Sequence, residues 1–182
     1  MRIVAGAYGG RALTPVGKGD AGAQLRPTAD RVRESLFSML AHLDVIEGAH
    51  VLDLFAGTGA LGLEGVSRGA VHATFVDRGR VAQSLIRRNI DLLGCADQCS
   101  VIGGDAHRLG PAPAPCQLVF LDPPYGKELG LDALIAAQAG GWIAPEALIV
   151  WEEKAQMTPP PGFTLHKAKR FGDSWMTLLW AD

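Results

Sequence analysis

The sequence predicts an α/β fold built on a mainly parallel sheet, and three observations carry that prediction. From residue 51 onwards short apolar runs alternate with helical patterns; glycines close the first strand and two of the helices; and the last twenty or so residues form two strand-like runs joined by a Gly-Asp turn. Strand–helix units of this length require right-handed crossovers, which place helices on both faces of a parallel sheet. The final pair, too close for a crossover, must be antiparallel at one edge.

Taken in order, residues 1–27 are rich in glycine and turn signals and hold two β-like pieces, RIVAGAY and RALTPV, around Gly9-Gly10. They read as a β-hairpin and a loose loop, an N-terminal extension ahead of a main domain at 28–182. Val32, Leu36, Met39 or Leu40, and Leu43 then recur at helical spacing, with Thr28 after Pro27 as the expected N-cap. VLDLF (51–55) leads into a helix at 60–68 closed by Gly69, and ATFVD (73–77) into a helix at 81–93 closed by Gly94. SVIGGD (100–105) and QLVFLD (117–122) are two further strands, followed by a helix at 129–139, the Gly140-Gly141 break and ALIVWE (147–152). FTLHKAKRF (163–171) and SWMTLLW (174–180) form the edge hairpin. The strands number seven.

A chain of 182 residues with 48% hydrophobic and 20% charged residues has the makeup of one ordinary globular domain, which excludes disordered and fibrous classes. No apolar stretch reaches the ~20 residues of a membrane span, and MRIVAGAYGG lacks the apolar core of a secretory signal, so a cytoplasmic protein is expected; a monomer is a separate expectation that these features do not bear on. Cys95, Cys99 and Cys116 form no Cys-x-x-Cys pair and read as small buried hydrophobes. His42, His50, His72, His107 and His166 lack metal-ligand spacing. Net charge is −2, yet residues 1–33 hold six basic residues against Asp20 and Asp30, a local +4 that leaves −6 for the rest. Such asymmetry fits a protein that meets phosphates with one surface.

The first strand ends in DLFAGTGALG (53–62), where Gly57, Gly59 and Gly62 match the dinucleotide spacing and Asp77 follows Gly57 by 20 residues. Spacing alone admits a nicotinamide enzyme. Asp53, however, lies within the strand, where burial would favour an apolar residue and an ionised carboxylate needs a donor. S-adenosylmethionine brings an α-ammonium group that Asp53 can accept from directly or through water. Asp77 is placed for two ribose hydroxyls, Asp105 for the adenine amino group and the Ala106 N–H for the ring, with Phe55, Gly57 and Gly59 lining the loop. Acids ending three successive strands suit a cationic nucleoside better than a pyrophosphate.

The fourth strand ends as LVFLDPPY (118–125). Pro123 and Pro124 offer no backbone N–H and hold the chain extended, so carbonyls near Asp122 lack helical partners, and Tyr125 presents a flat face. With the glycine loop, this pattern resembles class I S-adenosylmethionine-dependent methyltransferases, and DPPY resembles the signature of those acting on exocyclic amines of bases. RPTADRVRESLFSML (26–40), DLFAGTGALGLEGVSRGA (53–70) and LDPPY, in this order, resemble the RsmD family of bacterial ribosomal RNA guanine-N2 methyltransferases over nearly the whole chain. The resemblance implies a Rossmann-like seven-stranded domain. It also implies methylation of N2 of one guanine, of the guanine 966 type, in 16S rRNA within an assembled or partly assembled 30S subunit.

A guanine N2 amine is a poor nucleophile because its lone pair is delocalised into the ring. The Asp122 carboxylate and the Pro123 carbonyl can each accept an N–H and favour the pyramidal amine, while Tyr125 stacks on the base. No metal or covalent intermediate is required. Arg26, Arg31 and Pro124 are assigned to the RNA side; Arg31 and Glu34, three apart, could pair on one helix face, and Glu64 is expected to be structural. His166, Lys167, Lys169 and Arg170 could form an RNA-facing rim or a solvated strand face. Two other readings share parts of the pattern. A DNA adenine-N6 methyltransferase also carries DPPY but needs room for a target-recognition domain, and a protein-glutamine methyltransferase would carry Asn at position 122. A catalytically silent RNA-binding protein would not need an intact DPPY.

Overall fold

The computed structural model describes residues 1–17, 28–125 and 128–182. One seven-stranded sheet organises the chain. It comprises β1 (His50–Leu54), β2 (His72–Asp77), β3 (Cys99–Gly103), β4 (Cys116–Leu121), β5 (Ile143–Glu153), β6 (Phe163–Phe171) and β7 (Ser174–Ala181). The order is β3-β2-β1-β4-β5-β7-β6, with β1 to β5 parallel and β7 antiparallel to both neighbours. The helices are α1 (Asp30–His42), α2 (Ala60–Ser67), α3 (Arg80–Leu93) and α4 (Leu129–Ala139). Every predicted strand and helix of the main domain is present. Among the described residues no helix is long and apolar enough to cross a membrane.

Both faces of the sheet are covered, which is why β1 and β4 read as continuous apolar runs. One face carries Val51, Phe75, Leu118, Phe120 and Val150 against α1, α2 and α3; the other carries Leu52, Leu54, Val119, Leu121, Ile149 and Trp151 against α4. In α1 the apolar stripe is Leu36, Phe37 and Leu40, all fully buried.

The N-terminal segment keeps the antiparallel pairing of a hairpin but builds no extended strands, with Ile3 N–H donating to Arg11 and Leu13 N–H to Met1. Its pairing reduces to one antiparallel bridge, Arg2 with Ala12, and neither RIVAGAY nor RALTPV forms a strand of the named sheet. The competing partner is α2: Glu64, fully buried, accepts the Val4 and Ala5 N–H groups at 2.8 and 3.0 Å and pairs with Arg68 at 2.8 Å. Ser67 bonds Tyr8 and Ala5, and Thr14 donates to Asn89. Backbone groups that a longer hairpin would have used are thus satisfied by the main domain. Glu64 is structural, as its place in the helix implied.

Two local expectations are corrected. The N-cap of α1 is Ala29, which provides no side-chain cap, so Thr28 does not cap the helix. Its first turn is fixed instead by Asp30, which accepts from Arg33 Nη2; the same nitrogen also reaches the Arg2 carbonyl. Arg31 and Glu34 form no ion pair; the i,i+3 pair of this helix is Asp30–Arg33. Arg33 is fully buried, a position its charge alone would not have placed in a core. Cys95 and Cys116 are buried; Cys99 is partly exposed, its Sγ 3.8 Å from that of Cys95.

Candidate active site

The carboxyl ends of five adjacent strands carry the residues of the site. In sheet order these are Asp105 after β3, Asp77 at the end of β2, Asp53 and the glycine loop on β1, Asp122 after β4, and Glu152 on β5. Open parallel sheets place ligands at this edge.

The β1–α2 turn begins at Phe55, a non-glycine residue with φ of 59°, and continues through Gly57 at 58° and Gly59 at 76°. Left-handed positions at every second residue let the chain reverse between strand and helix and bring its N–H groups to the strand ends. Asp77 holds the turn: Oδ2 accepts Gly57 N–H at 2.9 Å and Oδ1 accepts Gly79 N–H at 2.8 Å. Each oxygen keeps a lone pair for a ligand hydroxyl. Gly62 has a packing reason as well, because a Cβ there would lie 2.4 Å from the Phe75 ring.

Asp53 is 2% exposed, and the donor it requires is the Gly62 N–H, 2.9 Å from Oδ2. Burial outweighs that bond and, with Asp77 nearby, pushes its carboxyl up to about 8. Asp105 lies 3.7 Å from Arg78 and 3.9 Å from His107 at the start of a short 3₁₀ turn that begins with the buried Ala106.

Asp122 follows β4, its N–H directed at the Leu54 carbonyl at 3.4 Å. Its carboxyl is raised well above the usual carboxylate range by burial first, then by the charges of Glu152, Asp53 and Glu153. No hydrogen-bond donor among the described residues serves that carboxylate. Tyr125 is anchored through its hydroxyl, which donates to Glu152 Oε1 at 3.0 Å and shares a bond with Ser174 Oγ at 2.7 Å. Burial raises the phenol to about 12, so it stays protonated and able to donate. Lys154 Nζ lies 5.6 Å from the ring centroid.

Of the residues singled out in sequence, Asp53, Phe55, Gly57, Gly59, Asp77, Asp105, Ala106, Asp122, Pro123, Pro124 and Tyr125 all fall on this edge. Arg31 does not. It is exposed on α1 and lines a separate shallow groove with Glu34, Ser35, Ser38, Met39 and Lys169, whose Nζ is 3.2 Å from Ser35 Oγ. Arg26 lies outside the described residues. Sequence reading missed Glu152 and Ser174, which hold Tyr125. Glu152 carried a usable signal: like Asp122, it is an acid closing an apolar strand.

The topology, the glycine turn and acids at successive strand ends together define a class I methyltransferase fold. The chain matches the family model described as conserved hypothetical protein 95 over residues 1–180. It is 38% identical over 176 residues to ribosomal RNA small subunit methyltransferase D of Escherichia coli K12, covering 94% of this chain and 85% of that protein. The protein of the same name from Haemophilus influenzae is 35% identical over 178 residues, covering 94% and 89%. The solved structure of Escherichia coli yhhF superposes with a TM-score of 0.86 at 37% identity, covering 100% of this chain and 98% of that one. Thermus thermophilus TrmN, at 22% identity and a TM-score of 0.65, shares the fold, covering 88% of this chain and 52% of that one. The chain belongs to the conserved hypothetical protein 95 family, the RsmD family of methyltransferases. The nicotinamide reading of the glycine spacing is thereby set aside.

Proposed function

We propose that this protein transfers a methyl group from S-adenosylmethionine to the exocyclic N2 of one guanine in small-subunit ribosomal RNA. The observation that carries the reading is Asp122: a carboxyl group at the end of β4, partly buried and without a donor among the described residues, followed directly by the Pro123 carbonyl. Such an acceptor pair is matched to an amine with two N–H groups. The names of the relatives support ribosomal RNA of the small subunit as the substrate.

The residues fit the cofactor. Burial keeps Asp53 and Asp122 short of compensating charge, and a cationic ligand supplies it. Asp53 would receive the ammonium, Asp77 the ribose hydroxyls, Asp105 and the Ala106 N–H the adenine, with Phe55, Gly57 and Gly59 shaping the loop. When bound, S-adenosylmethionine provides a methyl group already activated on a sulfonium. The chain then positions the amine. Asp122 and the Pro123 carbonyl accept its hydrogens, so that positive charge developing on nitrogen meets negative charge, and the Tyr125 ring offers a stacking face whose hydroxyl is tied down on two sides. Stacking of ~1–3 kcal/mol per base offsets much of the cost of extruding the nucleotide. Arg31, Arg26 and Pro124 belong to the RNA side, the 1–27 extension faces the RNA, and the enzyme acts as a cytoplasmic monomer on assembled or partly assembled 30S subunits.

The deciding experiment is transfer of a radiolabelled methyl group to small subunits from a strain lacking this activity, with mapping of the labelled base. Label at guanine N2 is expected. Label on adenine N6, or on DNA only, would sink the assignment.

A further inference from the structure

We propose that Glu152 reads the target base: its Oε2 accepts the guanine N1–H while Asp122 and Pro123 hold the adjacent N2 amine. This rests on the guanine-N2 reading above and deepens it by naming the residue that selects guanine over adenine.

The two acids are brought together by strand register. Leu121 pairs with Trp151 in the parallel β4–β5 ladder, so the next positions, Asp122 and Glu152, emerge side by side, about 4.8 Å apart at the backbone. Both follow the residues Phe120 and Val150 that face α1 and α2, so both point to that side of the sheet. The charge of Glu152 is the leading electrostatic influence on Asp122 after burial. Glu152 is itself held in place: Oε1 takes the Tyr125 hydroxyl at 3.0 Å, and that hydroxyl is fixed again by Ser174. Oε2 is buried and has no hydrogen-bond partner among the described residues. A buried acceptor without a donor is destabilising, so its natural role is to receive a donor from a ligand.

Guanine supplies that donor in the right place. Its N1–H and N2–H groups are neighbours on one edge, and two adjacent carboxylates meet them as a matched set. Adenine presents a bare N1 lone pair there, which would face a carboxylate oxygen. That contact is repulsive and leaves Oε2 unpaired, and discrimination by an unpaired buried group is far stronger than discrimination by shape. Tyr125 contributes twice, as the stacking face and as the donor that orients Glu152.

The test uses small subunits reconstituted with RNA carrying either guanosine or 2-aminopurine at the mapped position. 2-Aminopurine keeps the N2 amine and lacks the N1–H. The wild-type enzyme is expected to methylate guanosine at least about 100-fold faster. In Glu152→Gln the amide oxygen keeps the Tyr125 bond and the NH2 turns to the base, where it donates to the bare N1 of 2-aminopurine. The gap is then expected to shrink to within about 10-fold or to invert, since the one change removes the penalty on the analogue and adds one for guanosine. A role limited to holding Tyr125 would slow both substrates alike and leave the ratio unchanged, which overturns the proposal. Equal wild-type rates on the two bases overturn it without any variant. Failure of the wild type on guanosine subunits is a different result and removes the guanine-N2 reading itself.

Discussion

On the β1–β2 side of the site the acids are bonded to backbone N–H groups of the glycine turn; on the β4–β5–β7 side the one donor among the described residues is the Tyr125 hydroxyl on Glu152. Asp77 spends one lone pair of each oxygen on Gly57 and Gly79, and Asp53 spends one on Gly62. Among the described residues Asp122 finds no side-chain donor, and Glu152 keeps one buried oxygen unpaired. The first group fixes a backbone turn before any ligand arrives, which lowers the cost of ordering it on binding. The second is unfinished as a hydrogen-bonded structure and is completed by a substrate. A cofactor that is present in every turnover can be met by a rigid cradle. A base that must be extruded and told from three others needs acceptors whose satisfaction depends on the right partner.

The comparison breaks most visibly at Asp122. Asp122→Ala should lower methyl transfer about 10³-fold while leaving S-adenosylmethionine affinity within a few-fold, measured by single-turnover transfer and by calorimetry. Parallel loss of both would mean that Asp122 belongs to the cofactor half. Tyr125→Ala should cost about 10- to 100-fold in transfer, the equivalent of one stacked base, whereas Tyr125→Phe keeps the ring and should lose less. Gly62→Ala probes the other half. The added Cβ meets the Phe75 ring at 2.4 Å, so about 1–3 kcal/mol of stability and several degrees of melting temperature should go, with cofactor affinity falling too.

Proton linkage sharpens the same contrast. Asp53 is raised from 3.8 in an unfolded chain to about 8, so the folded protein holds a proton that the unfolded chain has released; Asp122 is raised in the same sense. Stability of the free protein should therefore decline as pH climbs from about 4 to about 8 on account of these groups. Melting curves across that range should show the decline, reduced in Asp53→Asn and reduced again by saturating S-adenosylmethionine, whose positive charge favours the ionised acids. The smallest effect is expected outside the cleft. Arg31→Ala or Lys169→Ala should weaken subunit binding only a few-fold and flatten its salt dependence by less than one power of salt concentration per lost phosphate contact.

The main-domain elements could be placed from sequence because each rests on a local signal. β4 is an apolar run stopped by two prolines, α3 is an amphipathic repeat stopped by Gly94, and the hairpin at 163–181 is two runs separated by Gly172-Asp173. The expectations that needed correction depended on competition. RIVAGAY has the composition of a strand, yet the N–H groups of Val4 and Ala5 go to Glu64 and those of Ala7 and Tyr8 to Ser67. Thr28 has the chemistry of a cap, yet α1 opens at Asp30, drawn by a buried Arg33 that also holds the Arg2 carbonyl.

By itself the sequence determined the order of strands and helices, the glycine turn after β1, and the presence of an acid at the end of each central strand. These are properties of neighbouring residues, and periodicity and chain-stopping chemistry act over a few positions. Only the tertiary structure decided which of those acids meet. Glu152 stands beside Asp122, thirty positions away, because β4 and β5 pair at Leu121 and Trp151, and it is tied to Tyr125 and Ser174 because β7 closes against β5. Register of that kind is set by how two faces of a sheet bury their side chains at once, a constraint that no single stretch of the chain contains.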